Sequence, residues 1–174
     1  MEIVKMILLF GIFSASSMVG ILIANQYSER MQELKEMKSA LNIFKTKIQF
    51  TYEPIAKIFQ DIANTLATSC QNVSRIFLLT SKKIQEEQKE AGKAWKESLQ
   101  ESTYAMKQED IQVLENLANL LGKVDIEGQI NEILLVENFV DKQLEKAEIE
   151  KQKNSKMYKT LGITVGLAIV IFLF

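Results

Sequence analysis

The 174-residue chain has no histidine. That removes imidazole acid–base catalysis and imidazole metal ligation. There is one cysteine, Cys70, so no intrachain disulfide forms, which fits a reducing compartment. With no histidine to activate it, Cys70 reads as a small buried residue rather than a nucleophile. Proline occurs once, at Pro54, and of seven glycines only Gly92, Gly122 and Gly128 lie outside the apolar ends. Charge almost balances at a net −1, so nothing draws the chain to nucleic acid in bulk.

The residues that are plentiful are distributed unevenly. Residues 6–24 (MILLFGIFSASSMVGILIA) carry no charge, and neither do residues 161–174 (LGITVGLAIVIFLF). At 1.5 Å per residue these runs cover about 28 and about 21 Å, against roughly 30 Å of hydrocarbon. Both are expected to be membrane helices, over 3–26 and 157–174. Lys5 and Lys159 can snorkel, and Tyr27 falls at interface depth. Residues 14–17 (SASS) supply the small residues of a signal-peptide cleavage region. The apolar run continues past them as MVGILIA, which predicts a retained anchor.

Lys151, Lys153, Lys156 and Lys159 precede the second run, and Arg30, Lys35 and Lys38 follow the first, whereas only Lys5 lies beyond. This bias predicts a cytoplasmic middle with both termini across the membrane. Small residues recur at spacing four: Ser16, Gly20 and Ala24 in the first run, Gly162 and Gly166 in the second. Such stripes let helix backbones approach, within one chain or between chains. The plainer reading is that glycine is common in membrane helices.

Between the runs, apolar residues fall at spacings of three and four. Leu34, Met37, Leu41, Phe44 and Ile48 form one helix face. Pro54 suits the first turn of a second helix carrying Ile55, Ile58, Phe59, Ile62 and Leu66. Asn72 or Ser74 is expected to cap a third, with Ile76, Phe77, Leu79 and Ile84. A fourth centres on Trp95 and Leu99, and Asp110 is expected to cap a fifth with Ile111, Leu114, Leu117 and Leu121. From Ile126 a sixth face runs through 130, 133, 134, 140, 144 and 147. The expected fold is all-α: an antiparallel bundle of about six helices over 27–156, flanked by the two membrane helices.

Residues 121–129 (LGKVDIEGQ) admit three readings. A phosphate-binding loop fails, because a helix precedes it and Val124 stands where Ser or Thr is needed. A calcium loop fails because, counting from Asp125, Gly128 and Val136 occupy the wrong places. A helix corner fits. Gly122 suits the left-handed residue that ends one helix, and Lys123 its negative end. Asp125 can cap the next helix, with Glu127 in its first turn. Gly128 is unexplained by propensity and points to a close neighbouring backbone. If the bundle serves as a platform, Lys123 to Gln129 and the basic stretch Lys151, Lys153, Lys156 and Lys159 are its candidate partner contacts, the plainer reading of the corner being purely structural. Glu86, Glu87 and Glu90 read as a solvated face of one helix rather than a metal site, and Trp95 as a core anchor rather than a binding platform. No cofactor is implied.

These stretches together resemble the stage III sporulation protein AB family of endospore-forming bacteria. GILIANQYSER carries Gly20, Ala24, Tyr27 and Arg30, followed by Leu34 and Leu41, and KIQFTYEP carries Ile48 and Pro54. AWKESL carries Ala94 and Trp95, LLGKVDIEGQ carries Leu121, Gly122, Asp125 and Gln129, and MYKTLGITVG carries Met157, Tyr158, Leu161, Gly162 and Gly166. The chain departs from the family's pattern at Met31, often proline, at Lys47, commonly acidic, and at Leu117-Ala118, usually Phe-Gly. The resemblance implies a single copy of the helical cytoplasmic domain of type II secretion F platform proteins. It further implies a place in the mother-cell membrane around the forespore, within the channel complex that links the two cells. Its implied partners are a stage III sporulation protein AA-type ATPase and the other membrane proteins of that set; association with further copies of the chain is left open by the residues. The residues alone favour a scaffold without a catalytic set. The competing class is a two-span signalling module with a helical relay bundle, against which stands the near absence of residues outside the membrane.

Overall fold

The computed structural model describes residues 2–51, 53–119, 121 and 126–173, with the side chains of residues 2 and 126 left aside. The elements are α1 (Glu2–Phe50), α2 (Ile55–Leu66), α3 (Gln71–Gln85), α4 (Ala91–Glu101), α5 (Gln108–Asn116), a 3-10 turn (Leu117–Asn119), α6 (Ile126–Glu150), a π-turn (Lys151–Ser155) and α7 (Lys156–Leu173). There is no strand among the described residues, so the fold is all-α. The two apolar runs are not separate helices. The first opens α1, which continues without a break to Phe50, and the second forms α7, joined to α6 through the π-turn.

The chain forms two compact units, a central one of Gln32–Glu145 and a terminal one of Met1–Met31 with Lys146–Phe174. Hydropathy divides the chain at 26/27 and 156/157. The units divide later and earlier, because the polar segments 27–31 and 146–156 pair with each other, as described below.

The central unit is a bundle of six helical segments, drawn from α1, α2 to α5, and α6. Leu34, Met37, Leu41 and Phe44 of α1 are fully buried, with Ile48 nearly so. They meet Ile58, Phe59 and Ile62 of α2, Val73, Ile76 and Phe77 of α3, and Leu99 of α4 in the core. Phe59 lies at its centre, with ring centroids 4.8 Å from Phe44, 5.5 Å from Phe77 and 5.8 Å from Trp95. Aromatic pairs at such distances add about 0.5–1.5 kcal/mol each beyond their buried area. Trp95 is fully buried, and its indole N–H donates to the Leu114 carbonyl at 2.8 Å, joining α4 to α5. Ser74 and Ser81 donate to the Ala63 and Ala56 carbonyls, both at 2.7 Å, tying α3 to α2. Lys38 pairs with Asp141, and Lys45 with Glu137. The opposed order of these partners shows that α1 and α6 run antiparallel here.

Several local expectations are corrected. Cys70, not Asn72 or Ser74, precedes the first turn of α3, and it makes no side-chain cap. The polar groups of Asn72 and Ser74 are committed elsewhere, to Glu33 and Ala63. Asp110 stands one turn inside α5 and accepts the Lys107 backbone N–H at 2.8 Å, closing the helix start from the far side. On α6, Leu134 is exposed while Val136 is buried, so the inward face runs through 133, 136, 140 and 147. Glu86, Glu87 and Glu90 are not on one helix: α3 ends at Gln85, and Gln88 reverses the chain in the left-handed region at φ 54°. Gly92 is where α4 meets the 3-10 turn, since a Cβ there would stand 2.0 Å from the Ala118 carbonyl oxygen.

Candidate functional site

In the terminal unit the small residues bring α1 against α7. A Cβ on Gly20 would stand 2.6 Å from the Tyr158 carbonyl oxygen, and one on Gly162 2.9 Å from the Ser16 carbonyl oxygen. Neither backbone atom can give way easily, so both positions exclude a side chain. Ser16 Oγ donates to the Gly162 carbonyl at 2.8 Å. Gly166 packs beneath Phe13 and Ser16, and Ala24 is fully buried one turn beyond Gly20. Ser16, Gly20, Gly162 and Gly166 thus share one antiparallel contact within the chain. Gly11 faces open space.

Outside this contact the two helices are apolar and uncovered. Phe10 is 72% exposed on α1 and Phe172 90% on α7. Only 11% of the most apolar stretch of each helix is buried, and both helices are long and apolar enough to cross a membrane. A core helix of a soluble fold would show the opposite burial.

Past the glycine contact the unit turns polar. The Tyr27 and Tyr158 rings stack at 5.9 Å. Arg30, 2% exposed, places Nη1 2.6 Å from Glu150 Oε2. The π-turn follows, carrying Lys151 and Lys153. A groove of about 610 Å3 opens beside it, walled by Lys151, Lys156 and Lys159 with Gln152 and Ser155, and bounded by Met31 and Glu148. Lys151 Nζ lies 3.8 Å from Met31 Sδ. Among the described residues, Lys151, Lys156 and Lys159 form no ion pair. Lys153 belongs to the same basic stretch but does not line the groove.

Of the expected corner, Gly122, Lys123 and Asp125 lie outside the described residues. Glu127 is exposed in the first turn of α6, and Gly128 and Gln129 are half-buried beside it. Cys70 is half-buried, and burial pushes its thiol above the usual range. That lowers its thiolate fraction and its reactivity. Among the described residues, no group of His, Cys, Asp or Glu could hold a metal ion.

Arg30 was read from the sequence as a basic residue after the first run, not as a buried charge, and the buried charges Glu33 and Lys83 were not singled out. Glu33 is 2% exposed, and its carboxylate accepts from Asn72 Nδ2 at 2.7 Å and from the backbone N–H groups of Ala105 at 2.7 Å and Met106 at 3.0 Å. A signal existed: positions 30 and 33 continue the buried face of 34, 37, 41 and 44 at helical spacing. A charge on that face must be satisfied internally.

The family described as stage III sporulation protein AB matches residues 5–174. The chain belongs to the stage III sporulation protein AB family. The stage III sporulation protein AB of Bacillus subtilis strain 168 is 29% identical over 161 residues, covering 91% of this chain and 92% of that protein. A solved structure of a stage III sporulation protein AB superposes with a TM-score of 0.67 at 26% identity, covering 72% of this chain and 98% of that one. Family membership makes this a sporulation protein.

Proposed function

We propose that the chain is a non-enzymatic membrane platform component of the mother cell–forespore channel complex needed for endospore formation. In this reading residues 3–26 and 157–174 span the mother-cell membrane around the forespore. The bundle is cytoplasmic and both termini lie outside, a reading supported by the excess of lysine beside the membrane ends. The bundle, similar in kind to a type II secretion F domain, engages a stage III sporulation protein AA-type ATPase and the other membrane proteins of the set, and associates with further copies of itself. The observation that carries the reading is the family match over residues 5–174, which takes in both apolar helices as well as the bundle. The α5–α6 corner, from Lys123 to Gln129, and the basic stretch are the candidate contacts for the ATPase.

The test is a crosslinking pull-down from sporulating cells with the tagged full chain extracted from membranes. Recovery of the ATPase with its companion membrane proteins is expected. Recovery of a kinase or transcriptional regulator in their place would make the bundle a signalling relay. Charge reversal at Lys123 or Glu127 should weaken ATPase capture without unfolding the bundle; unchanged capture removes the corner as the contact.

A further inference from the structure

The groove at the π-turn is lined unlike the other hollows of the terminal unit. Those beside Met6, Phe10 and Leu167, and beside Val19, Tyr158 and Val165, are apolar. This one gathers three ammonium groups with no carboxylate partner among the described residues, plus the Gln152 amide and the Ser155 hydroxyl as donors. Glu148 is the one acid on its wall. The π-turn builds it. In a regular α-helix residues five apart sit about 140° apart around the axis. A π-turn, with its i→i+5 bonding, brings such residues closer to alignment, and here Lys151 and Lys156 share one wall.

We propose that this groove holds the phosphate headgroup of an anionic phospholipid. The inference rests on the reading that α1 and α7 span the membrane. In that setting the groove has the depth of the headgroups. Lys156 and Lys159 open α7, whose uncharged run starts at Leu161. The stacked Tyr27 and Tyr158 rings stand at the same level, where aromatic residues concentrate in membrane proteins. Basic pockets beside membrane helices on the cytoplasmic side take anionic head groups. The Met31 side chain provides an apolar surface for the glyceryl end of the lipid. The assignment separates the lysines of the basic stretch: Lys151, Lys156 and Lys159 hold lipid, and Lys153 does not.

The test uses the full chain in detergent, with equimolar phosphatidylglycerol and phosphatidylcholine added and retained lipid counted by native mass spectrometry. Phosphatidylglycerol should be retained preferentially. K156Q should lower its retention about fivefold, as expected for one lysine near an anionic headgroup, and the K151Q/K156Q/K159Q chain should retain both lipids alike. K153Q should match the wild type, and E148Q should retain more. Equal retention of the two lipids by the wild type overturns the proposal. So does an equal loss with K153Q and K156Q, which would mean that charge acts diffusely along the stretch. Displacement of phosphatidylglycerol by millimolar inorganic phosphate would make the ligand free phosphate and overturn the lipid assignment. Alkaline extraction of membranes from the same cells separates the two layers of inference. Release of the chain removes the spanning reading and this proposal together. A chain that stays in the membrane yet shows no lipid preference removes the groove alone. Circular dichroism checks the triple variant, and the single variants decide the matter if it does not fold.

Discussion

Arg30 and Glu150 stand 120 positions apart in the chain and 2.6 Å apart in space, the guanidinium buried and the carboxylate 30% exposed. Removing one partner of such a pair costs more than the pair contributes, because it leaves a desolvated charge behind. Glu150→Gln should therefore destabilise the protein by about 2 kcal/mol, below the range for a fully buried pair because Glu150 reaches water. Thermal unfolding of the full chain in detergent reads this. A change within about 0.5 kcal/mol, the size of a surface pair, would show that Arg30 is satisfied without Glu150.

The glycine contact predicts a contrast between two positions on one helix. Gly20→Ala drives a methyl group into the Tyr158 carbonyl, and overpacking of this kind costs about 1–3 kcal/mol. Gly11→Ala meets nothing and should stay within about 0.5 kcal/mol of the wild type. Denaturant midpoints in detergent compare them. Equal midpoints would mean that the helices separate at no cost and that the contact contributes nothing.

Glu33 holds the connection between α4 and α5 by accepting two of its backbone N–H groups. Hydrogen bonds to a charged group contribute about 1.5–3 kcal/mol. Glu33→Gln should cost about 2 kcal/mol and loosen residues 102–107, read as faster proteolysis there under native conditions. Unchanged cleavage in a destabilised variant would mean that the connection is held by other contacts.

Glu97 sits between Lys89 at 2.5 Å and Lys83 at 3.3 Å. The Lys89 ammonium first, with Lys83 adding, holds its carboxyl below the usual carboxylate value. A depressed carboxylate contributes stability that is fully present above its unfolded pKa and is lost as pH falls through the folded value. The wild type should therefore lose stability more steeply than Glu97→Gln as pH drops below about 4.3. Parallel unfolding curves for the two proteins across that interval would refute the assignment.

The bundle helices could be read from sequence because their apolar residues recur at the period of the helix, and burial follows that period. The exceptions have physical causes. Leu134 and Val136 are both apolar, and which of them turns inward depends on the phase of α6 against α1. Asn72 and Ser74 have the chemistry of helix caps, but their polar groups are used by Glu33 and by the Ala63 carbonyl, partners far away in sequence. Gly92 carries no local sign that its neighbour is the Ala118 carbonyl. At the candidate site, the lysines and the small-residue stripes were visible as composition. The groove was not, because residues 151–155 (KQKNS) look like any solvated helix and nothing in them announces a widened turn.

That turn also sets the phase of everything after it. A π-turn is a helix carrying one residue more than its regular pitch allows. Deleting one residue between 151 and 155 would leave α7 in phase, but straightening all five into a regular α-helix would turn it by about 100° relative to residues 146–150. Gly162 and Gly166 would then leave the face that meets Gly20 and Phe13, and Lys159 would leave the groove. The widened turn behaves as slack in a gear train: it takes up the surplus residue, and drawn tight it would leave the teeth on either side out of mesh.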